Sequence, residues 1–481
     1  MVRLVTNQET LANEAGELVR AFFPRETVNY QAGHCHDDAF FILSVNWSED
    51  NVWLCTLLKG ERAFHAVEAL APRAEGEEEV LFQRRRKSAM KKCVYNVLRQ
   101  LTGRSLPYGM LTGVRPLTVA KRTLEGRDPE TAEELLKQEY DISPEKARLL
   151  VSTALVQKQL RLQEDAAGLY VNIPFCPSRC NYCSFPSELA QTAAPRMEAY
   201  LDALERELQF VTEESGCTFD CLYVGGGTPT SLSHSHFARL TEICAAAVKK
   251  GAIGEFTVEA GRPDTLDREK LAIMKAAGVT RISINPQTMN DETLVRIGRR
   301  HTAEAIVDSF QAARELGFDN INMDLIVGLE GERPADIRGS LNRVLALEPE
   351  SVTVHVLAKK HASELNRIGA DIFAREGLIA RSCGEYPLLF AQRDYHPYYL
   401  YRQKYMLENL ENVGYAKPGK ECIYNIRMMD DGCTCWAVGA GAVSKRCYGG
   451  TRRIERQANP RQREDYIARL DEILEKKQEL F

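Results

Sequence analysis

The sequence predicts an α/β protein built around a partial (β/α) barrel of six strands, and three observations support this fold class. From Leu169 onward, six apolar segments with strand character alternate with longer amphipathic segments of helical periodicity. Such alternation is typical of parallel βαβ units. Residues whose side chains could bind ligands or take part in catalysis follow the C-terminal ends of these segments, where barrels place their active sites. A chain of 481 residues is too long to fold around a single hydrophobic core, so we expect further domains beside the barrel.

The N-terminal part is predicted to form two domains before the barrel begins. Residues 1–80 combine one leading helix with strand-like runs at 39–45 and 52–58, which indicates a small α+β domain. An acidic run at 75–79 and a basic run at 84–87 then mark a solvated boundary. Helical periodicity dominates after this boundary, so residues 81–165 are predicted to form a helical linker domain.

The barrel itself is predicted over residues 166–365. Its six strand candidates read LYVNIPF, CLYVGG, FTVEA, RISINP, INMDLIVG and SVTVHVLA. Residues 366–481 are less periodic, and we expect them to form a C-terminal domain that caps the barrel over its substrate.

Composition limits the classes of partner. The chain carries 62 basic and 67 acidic residues, a net charge of −5, which does not favour nucleic acid or an anionic membrane. No apolar run is long enough to span a bilayer, and the N-terminus does not resemble a signal peptide. We therefore expect a cytoplasmic protein, in which the 14 cysteines stay reduced and bind metal more readily than they pair.

The segment YVNIPFCPSRCNYCSF places Cys176, Cys180 and Cys183 directly after the first barrel strand. Three thiolates can bind three irons of a cubane and leave the fourth iron open. S-adenosylmethionine (SAM) can chelate that iron through its amino and carboxylate groups, and its reductive cleavage yields a 5′-deoxyadenosyl radical. The alternative is structural zinc, but closed zinc sites use four ligands in paired knuckles, and no second knuckle lies nearby in sequence.

A glycine-rich turn, GGGTPT at 225–230, ends the second strand. Glycines let the backbone approach a ligand closely, with polar groups free for the amino acid end of SAM. Such a turn alone would be an ordinary strand-to-helix connection. Its position one βα unit after the cysteines favours a role in SAM binding.

Several long motifs follow one another in order along the chain: YVNIPFCPSRCNYCSF, YVGGGTPT, TVEAGRPD, RISINPQTMNDETLVRIGRRHT, NMDLIVGL and PYYLYRQKYMLENLENVGYAKPG. Together they resemble the radical SAM coproporphyrinogen dehydrogenases, which are the oxygen-independent coproporphyrinogen III oxidase superfamily, and most closely its HemZ branch. The resemblance covers residues 169–445 and the N-terminal extension. It implies a radical SAM partial (β/α)6 barrel with an oxidase-type C-terminal cap.

The resemblance also implies cofactors and residue roles. It implies a [4Fe–4S] cluster on the three cysteines, one SAM on the cluster and a second SAM beside it. The positions matching contacts to the cluster-bound SAM are Tyr170, Gly226 and Glu259. The positions matching the second SAM are Tyr182, Gly227, Thr228, Gln287, Arg299, Asp324 and Ala358. Tyr170 and Glu259 are the candidate catalytic residues.

The residue types suit these roles. Glu259 and Asp324 can accept from ribose hydroxyls or an ammonium group, and Arg299 can neutralise a carboxylate. The alternative for the charged residues is salt bridging at the barrel mouth, since ionised groups at strand ends commonly pair.

The activity implied by the resemblance is oxidative decarboxylation, without oxygen, of two propionates of coproporphyrinogen III, which gives protoporphyrinogen IX. It further implies a tetrapyrrole substrate, a flavodoxin or ferredoxin electron donor, and a monomer. Two departures leave alternatives open: Phe185 stands where some oxidases have a further cysteine, and Tyr424 stands where heme chaperones have a histidine. The alternatives are radical-mediated opening of heme and a non-catalytic heme carrier.

Four further features have two interpretations each. The tail cysteines could hold an auxiliary cluster, but their irregular spacing favours ordinary thiols; they are Cys422, Cys433, Cys435 and Cys447. His301 is either a site residue or a helix-start residue. The loop at 108–116 and the tyrosine-rich stretch at 395–405, with Arg402 and Lys404, either bind the tetrapyrrole or pack structurally.

Overall fold

The computed structural model describes residues 1–30, 40–160, 162–163, 165–360, 363–367, 377–449 and 453–481. The chain divides into two units. One comprises Met1–Val151 with Arg402–Leu410, and the other comprises Ser152–Tyr401 with Glu411–Phe481.

The first unit contains a five-stranded sheet in the order β2-β1-β3-β4-β5. Its strands are β1 (Val2–Thr6), β2 (Val28–Tyr30), β3 (Phe41–Trp47), β4 (Val52–Lys59) and β5 (Arg62–Ala69). The helices up to residue 159 are α1 (Glu9–Phe22), α2 (Glu79–Thr102), α3 (Pro116–Leu124), α4 (Pro129–Tyr140) and α5 (Pro144–Gln159).

The core of this unit follows the two sequence periodicities. Alternate residues of β3 and β4 are buried, as a half-buried strand requires. One face of α2 packs on the same core at helical spacing. The buried residues of these three elements include Leu43, Val45, Trp53, Leu57, Met90, Val94 and Val97.

The second unit contains the predicted barrel, and the six predicted strands are all present. They lie side by side in the order β6-β9-β10-β11-β12-β13, all parallel. Their bounds are β6 (Ala166–Ile173), β9 (Thr218–Gly226), β10 (Glu255–Gly261), β11 (Arg281–Ile284), β12 (Ile321–Val327) and β13 (Ser351–Val356). The predicted fold class is therefore confirmed.

Helices and short elements connect these strands. The segment between β6 and β9 contains β7 (Phe175–Cys176), β8 (Glu188–Leu189), α6 (Ala190–Ala193) and α7 (Met197–Glu214). The later connections contain α8 (His234–Gly251), α9 (Arg268–Ala276), α10 (Asp291–Arg296), α11 (Ala303–Glu315) and α12 (Pro334–Ala346).

The tail contributes strands to both edges of the barrel sheet, a feature that its weak periodicity did not reveal. Strands β14 (His396–Tyr401) and β15 (Asn412–Ala416) extend the β13 edge antiparallel. Strands β16 (Cys435–Val438), β17 (Val443–Cys447) and β18 (Ile454–Ala458) extend the β6 edge. Its helices are α13 (Glu364–Arg367), α14 (Leu378–Gly384), α15 (Tyr386–Ala391), α16 (Ile423–Met429), α17 (Arg463–Ala468) and α18 (Leu470–Gln478).

Helix α16 lies at the N-terminal end of the barrel strands. The carboxylate of Glu255, the first residue of β10, accepts hydrogen bonds from the backbone N–H groups of Ile423 (2.8 Å) and Tyr424 (3.1 Å). A carboxylate at a helix N-terminus satisfies free N–H groups and opposes the helix dipole. This anchor directs Tyr424 toward the barrel interior, where it stacks on tyrosines of β6 and β9.

Within the described residues, no helix has both the length and the apolar character needed to cross a bilayer.

Candidate iron–sulfur and cofactor site

The three motif cysteines lie on the segment that follows β6. Cys176 ends the short strand β7, Cys180 is buried, and Cys183 is partly exposed. Burial raises the pKa of the Cys176 and Cys183 thiols above its usual value. Among the described residues, no three His, Cys, Asp or Glu side chains converge on a position for a single metal ion. Cubane ligands need no such convergence, because each thiolate binds a different iron.

Arg262 holds the cysteine segment in place. Its Nη1 donates to the hydroxyl of Ser178 at 2.8 Å and to its carbonyl oxygen at 3.3 Å, and lies 3.9 Å from Cys180 Sγ. The same guanidinium pairs with Asp264 through Nε (2.9 Å) and Nη2 (2.7 Å). Sequence reasoning quoted the TVEAGRPD motif but did not single out this arginine. A buried cation beside Cys180 offsets the charge of its thiolate.

The end of α10 supports the same segment from another side. The carbonyl of Ile297 accepts from the Asn181 N–H at 3.3 Å, and Ser178 Oγ donates to the Gly298 carbonyl at 3.3 Å. Arg299 donates through Nη1 to the Asn285 carbonyl (2.5 Å) and through Nη2 to the Tyr182 hydroxyl (3.3 Å). The structure therefore brings the predicted residues Tyr182 and Arg299 together beside the cysteines.

The glycine-rich turn packs against this segment rather than facing open space. A Cβ on Gly226, whose φ is +107°, would lie 2.1 Å from Asn172 Oδ1. A Cβ on Gly227 would lie 2.4 Å from the Phe175 carbonyl oxygen. Glycine is thus required for the backbone to pack closely here. The packing places Thr228 Oγ1 3.7 Å from Cys176 Sγ.

Glu259 lies in the barrel interior among tyrosines. The Tyr223 hydroxyl donates to Glu259 Oε1 at 2.7 Å. Burial, with a smaller contribution from the nearby Asp324 carboxylate, raises the pKa of Glu259 to about 7, although the hydrogen bond from Tyr223 acts to lower it. Tyr424 stacks on Tyr223, with ring centroids 4.7 Å apart, and on Tyr170 at 5.6 Å. Sequence reasoning identified Tyr170 and Glu259 as site residues, but it missed Tyr223.

Asp324 lies in β12, and Gln287 lies three residues after the end of β11. The Asn322 amide donates to Asp324 Oδ1 at 2.8 Å, and His355 Nε2 lies 3.8 Å from Oδ2. Burial alone would raise the pKa of Asp324, but the nearby His355 imidazole and the hydrogen bond from Asn322 outweigh burial and hold it below its usual value. Ala358, also predicted for this site, is buried two residues beyond the end of β13.

Gln287 has an unusual backbone. Its φ of +66° lies in the left-handed region, which few residues other than glycine adopt without strain. The backbone is fixed there by hydrogen bonds from Gln287 N–H to the Asp324 carbonyl (2.9 Å) and from Ile326 N–H to the Gln287 carbonyl (2.8 Å).

The residues fit a ligand with both donor and acceptor groups. Gln287 Oε1 and Arg299 Nε are buried, and neither has a hydrogen-bond partner among the described residues. Buried polar atoms normally have partners, so these two indicate groups that a ligand would satisfy. The hydroxyls, carboxylate and ammonium of a nucleoside amino acid such as SAM match this set.

The remaining sequence candidates have the following surroundings. His301 is buried with its Nδ1 3.5 Å from Asp264 Oδ1, one residue before the N-cap of α11. The four tail cysteines belong to no three-residue metal-binding group within the part of the chain that the structure describes. Cys422 Sγ instead donates to Glu255 Oε1 at 3.4 Å.

The tyrosine-rich stretch and the loop at 108–116 have separate structural surroundings. Tyr395, Tyr398 and Tyr399 are buried, and the last two lie in β14. Arg402 and Lys404 belong to the first unit, where Arg402 donates to the Leu111 carbonyl at 2.5 Å and lies over the Tyr108 ring, and Lys404 pairs with Glu17 at 3.0 Å.

Comparison with known proteins places these residues in context. Residues 170–344 match the model of the radical SAM superfamily. The chain is 40% identical to the oxygen-independent coproporphyrinogen-III oxidase-like protein HemZ of Bacillus subtilis, over 79% of this chain and 78% of that protein. It is 32% identical to the heme chaperone HemW of the same organism, over 59% of this chain and 72% of that protein. The crystal structure of the coproporphyrinogen III oxidase HemN of Escherichia coli, a radical SAM enzyme, superposes with a TM-score of 0.51 at 24% identity, over 66% of this chain and 72% of that chain.

Proposed function

Because the chain belongs to the radical SAM superfamily, within the family of oxygen-independent coproporphyrinogen-III oxidases and their HemZ-like relatives, we propose that it is an anaerobic coproporphyrinogen III dehydrogenase. As a member of this superfamily it uses a [4Fe–4S] cluster and SAM. When bound, these cofactors supply hydrogen-abstracting radical chemistry. The residues of the chain hold, orient and enclose them.

The proposed roles follow from the contacts. Cys176, Cys180 and Cys183 hold the cluster, and Arg262 fixes the segment that carries them. Glu259 accepts hydrogen bonds from the SAM on the cluster, with Tyr223 fixing its carboxylate. The residues proposed to line a second SAM are Tyr182, Gly227, Thr228, Gln287, Arg299, Asp324 and Ala358.

The proposed reaction converts two propionates of coproporphyrinogen III to vinyl groups. In each conversion the radical chemistry that the bound cofactors would supply takes up a hydrogen atom from the propionate β-carbon, the C–C bond to the carboxylate breaks, carbon dioxide leaves, and one electron passes to a one-electron acceptor. A flavodoxin or ferredoxin is the proposed electron donor to the cluster.

The position of Tyr424 supports an enzyme over a heme carrier. This residue stands where the heme chaperones resembled by the chain have a histidine. Its side chain is buried and stacked between Tyr170 and Tyr223 in the barrel interior. Tyr223, on which Tyr424 stacks, donates to Glu259 at 2.7 Å, and the buried Tyr424 ring does not offer an exposed heme ligand.

Product analysis tests the proposal. Anaerobically reconstituted protein is incubated with coproporphyrinogen III, SAM, reduced flavodoxin and a range of one-electron acceptors. We expect carbon dioxide and vinyl-bearing product, and neither should form with the Cys176→Ala variant. Cleavage of SAM without vinyl product, together with alkylation or opening of heme in a parallel reaction, would replace this proposal with heme degradation. Tight stoichiometric heme binding without SAM cleavage would replace it with a heme carrier.

A further inference from the structure

His355 shares the inner face of the barrel with Asp324. In the register between β12 and β13, Asp324 pairs with Thr353 and Ile326 pairs with His355. Side chains two residues apart in a strand point to the same face, so His355 and Thr353 face the same side as Asp324. The side chains of His355 and Asp324 keep 26% and 18% exposure, so a ligand in the barrel can reach both.

The two oxygens of Asp324 have different surroundings. Oδ1 accepts from the Asn322 amide at 2.8 Å, and the same amide group of Asn322 also donates to Ser283 Oγ at 2.8 Å. Oδ2 faces His355 Nε2 at 3.8 Å, which is longer than a direct hydrogen bond. A neutral network thus fixes one oxygen, and the imidazole faces the other.

The other titratable groups around this pair are acidic or phenolic. Glu259 lies across the barrel on β10, and its carboxylate and that of Asp324 repel each other. The Tyr401 hydroxyl on β14 lies 3.5 Å from His355 Nδ1, and the phenols of Tyr223 and Tyr399 are also close enough to interact with Asp324. Of the titratable side chains just named, His355 is therefore the one whose positive charge would favour the ionised form of the Asp324 carboxylate.

We propose that His355 is a positioning residue that orients the Asp324 carboxylate to accept hydrogen bonds from the hydroxyl or ammonium groups of a nucleoside amino acid bound in the barrel. This inference rests on the proposed function, which assigns Asp324 to a second SAM. The His355 imidazole faces Asp324 Oδ2 through Nε2, and the Tyr401 hydroxyl lies near Nδ1 on the opposite side of the ring.

Removal of the imidazole has a predictable consequence. Without His355, burial of Asp324 and repulsion by Glu259 favour the protonated carboxyl. A protonated carboxyl is a poorer acceptor, so ligand affinity falls at neutral pH. Raising the pH ionises Asp324 again and restores the affinity. A purely structural role for His355 would give a loss that does not depend on pH.

Calorimetric titration of anaerobically reconstituted protein with SAM, from pH 6.5 to 9, tests the inference. We expect His355→Phe to weaken one SAM equivalent by about tenfold at pH 7, which is the loss expected if the pKa of Asp324 rises until only about a tenth of the carboxyls are ionised at that pH, with recovery toward pH 9. His355→Gln, which keeps a polar N–H group facing Oδ2 but not the charge, should restore part of the affinity at pH 7. Asp324→Asn should bind SAM weakly at every pH.

His396→Phe provides the matched control. His396 also faces a carboxylate, with Nε2 2.6 Å from Glu421 Oε1, but it lies outside the predicted site residues. The inference is overturned if His355→Phe binds SAM with wild-type affinity at pH 7. The inference is also overturned if the SAM affinity of His355→Phe falls equally at all pH values, together with a loss of thermal stability like that of His396→Phe. Because the readout is SAM binding, failure to form vinyl product would contradict the proposed function alone.

Discussion

Replacement of Tyr223 by phenylalanine isolates the hydrogen bond that supports Glu259. The hydroxyl donates to Glu259 Oε1 at 2.7 Å inside the barrel. A hydrogen bond to a buried charged group contributes about 1.5–3 kcal/mol, which corresponds to about 1–2 pKa units. Burial already raises the pKa of Glu259 to about 7, so about half of the carboxyls are ionised at pH 7. Loss of the hydroxyl raises the pKa further and leaves only a small fraction ionised at that pH.

If the ionised Glu259 carboxylate binds SAM, the affinity of Tyr223→Phe for SAM should fall by about tenfold at pH 7 and by less than about twofold at pH 9. Calorimetric titration across this range measures both values. Tyr466→Phe is the matched control, because the Tyr466 hydroxyl also donates to a buried carboxylate, Glu207, at 2.6 Å, outside the predicted site. Equal loss of affinity at both pH values, or an equal pH effect in the control, would refute the reasoning.

Two further substitutions probe the cluster segment and the stability of the barrel. Arg262→Gln removes the contacts to Ser178 and Cys180, which are worth about 2 kcal/mol for a charge-assisted set, so a chelator should extract iron about thirtyfold faster than from wild type. The exposed variant Arg300→Gln should behave as wild type. Glu207→Gln leaves the fully buried Lys477 ammonium without its charged partner. Urea denaturation should therefore show a loss of about 3–5 kcal/mol in the free energy of unfolding. Unchanged SAM affinity of the folded variant would show that this effect is separate from the cofactor site.

The strands of the barrel were predictable because each is a short apolar run set between helical segments. The burial pattern of β10 and β11 is nearly continuous, which explains why their sequences read as strands without ambiguity. The strands of the tail were not predictable from the same signal. They are four to six residues long and lie at the sheet edges. Their pairing with β13 and β6 depends on contacts distant in sequence, which local periodicity does not encode.

In the site, too, features encoded by neighbouring residues were predictable from the sequence, whereas contacts between distant residues were not. The spacing of the cysteines and the position of the glycine-rich turn were visible in the sequence, and the structure places the turn against the cysteine segment. The supporting residues were not visible. Arg262, Tyr223 and His355 act through side chains that meet only when separate strands align, and no spacing rule relates them to their partners.

The central claim is that Cys176, Cys180 and Cys183 hold the [4Fe–4S] cluster that this radical SAM protein uses with SAM. Iron and sulfide analysis of anaerobically reconstituted protein, with its visible and electron paramagnetic resonance spectra, tests the claim most directly. We predict about four irons and four sulfides per chain in the wild type and in a variant with Cys422, Cys433, Cys435 and Cys447 replaced by alanine, and almost none when the three motif cysteines are replaced. Full iron content in the motif variant, or its loss in the tail variant alone, would contradict the account.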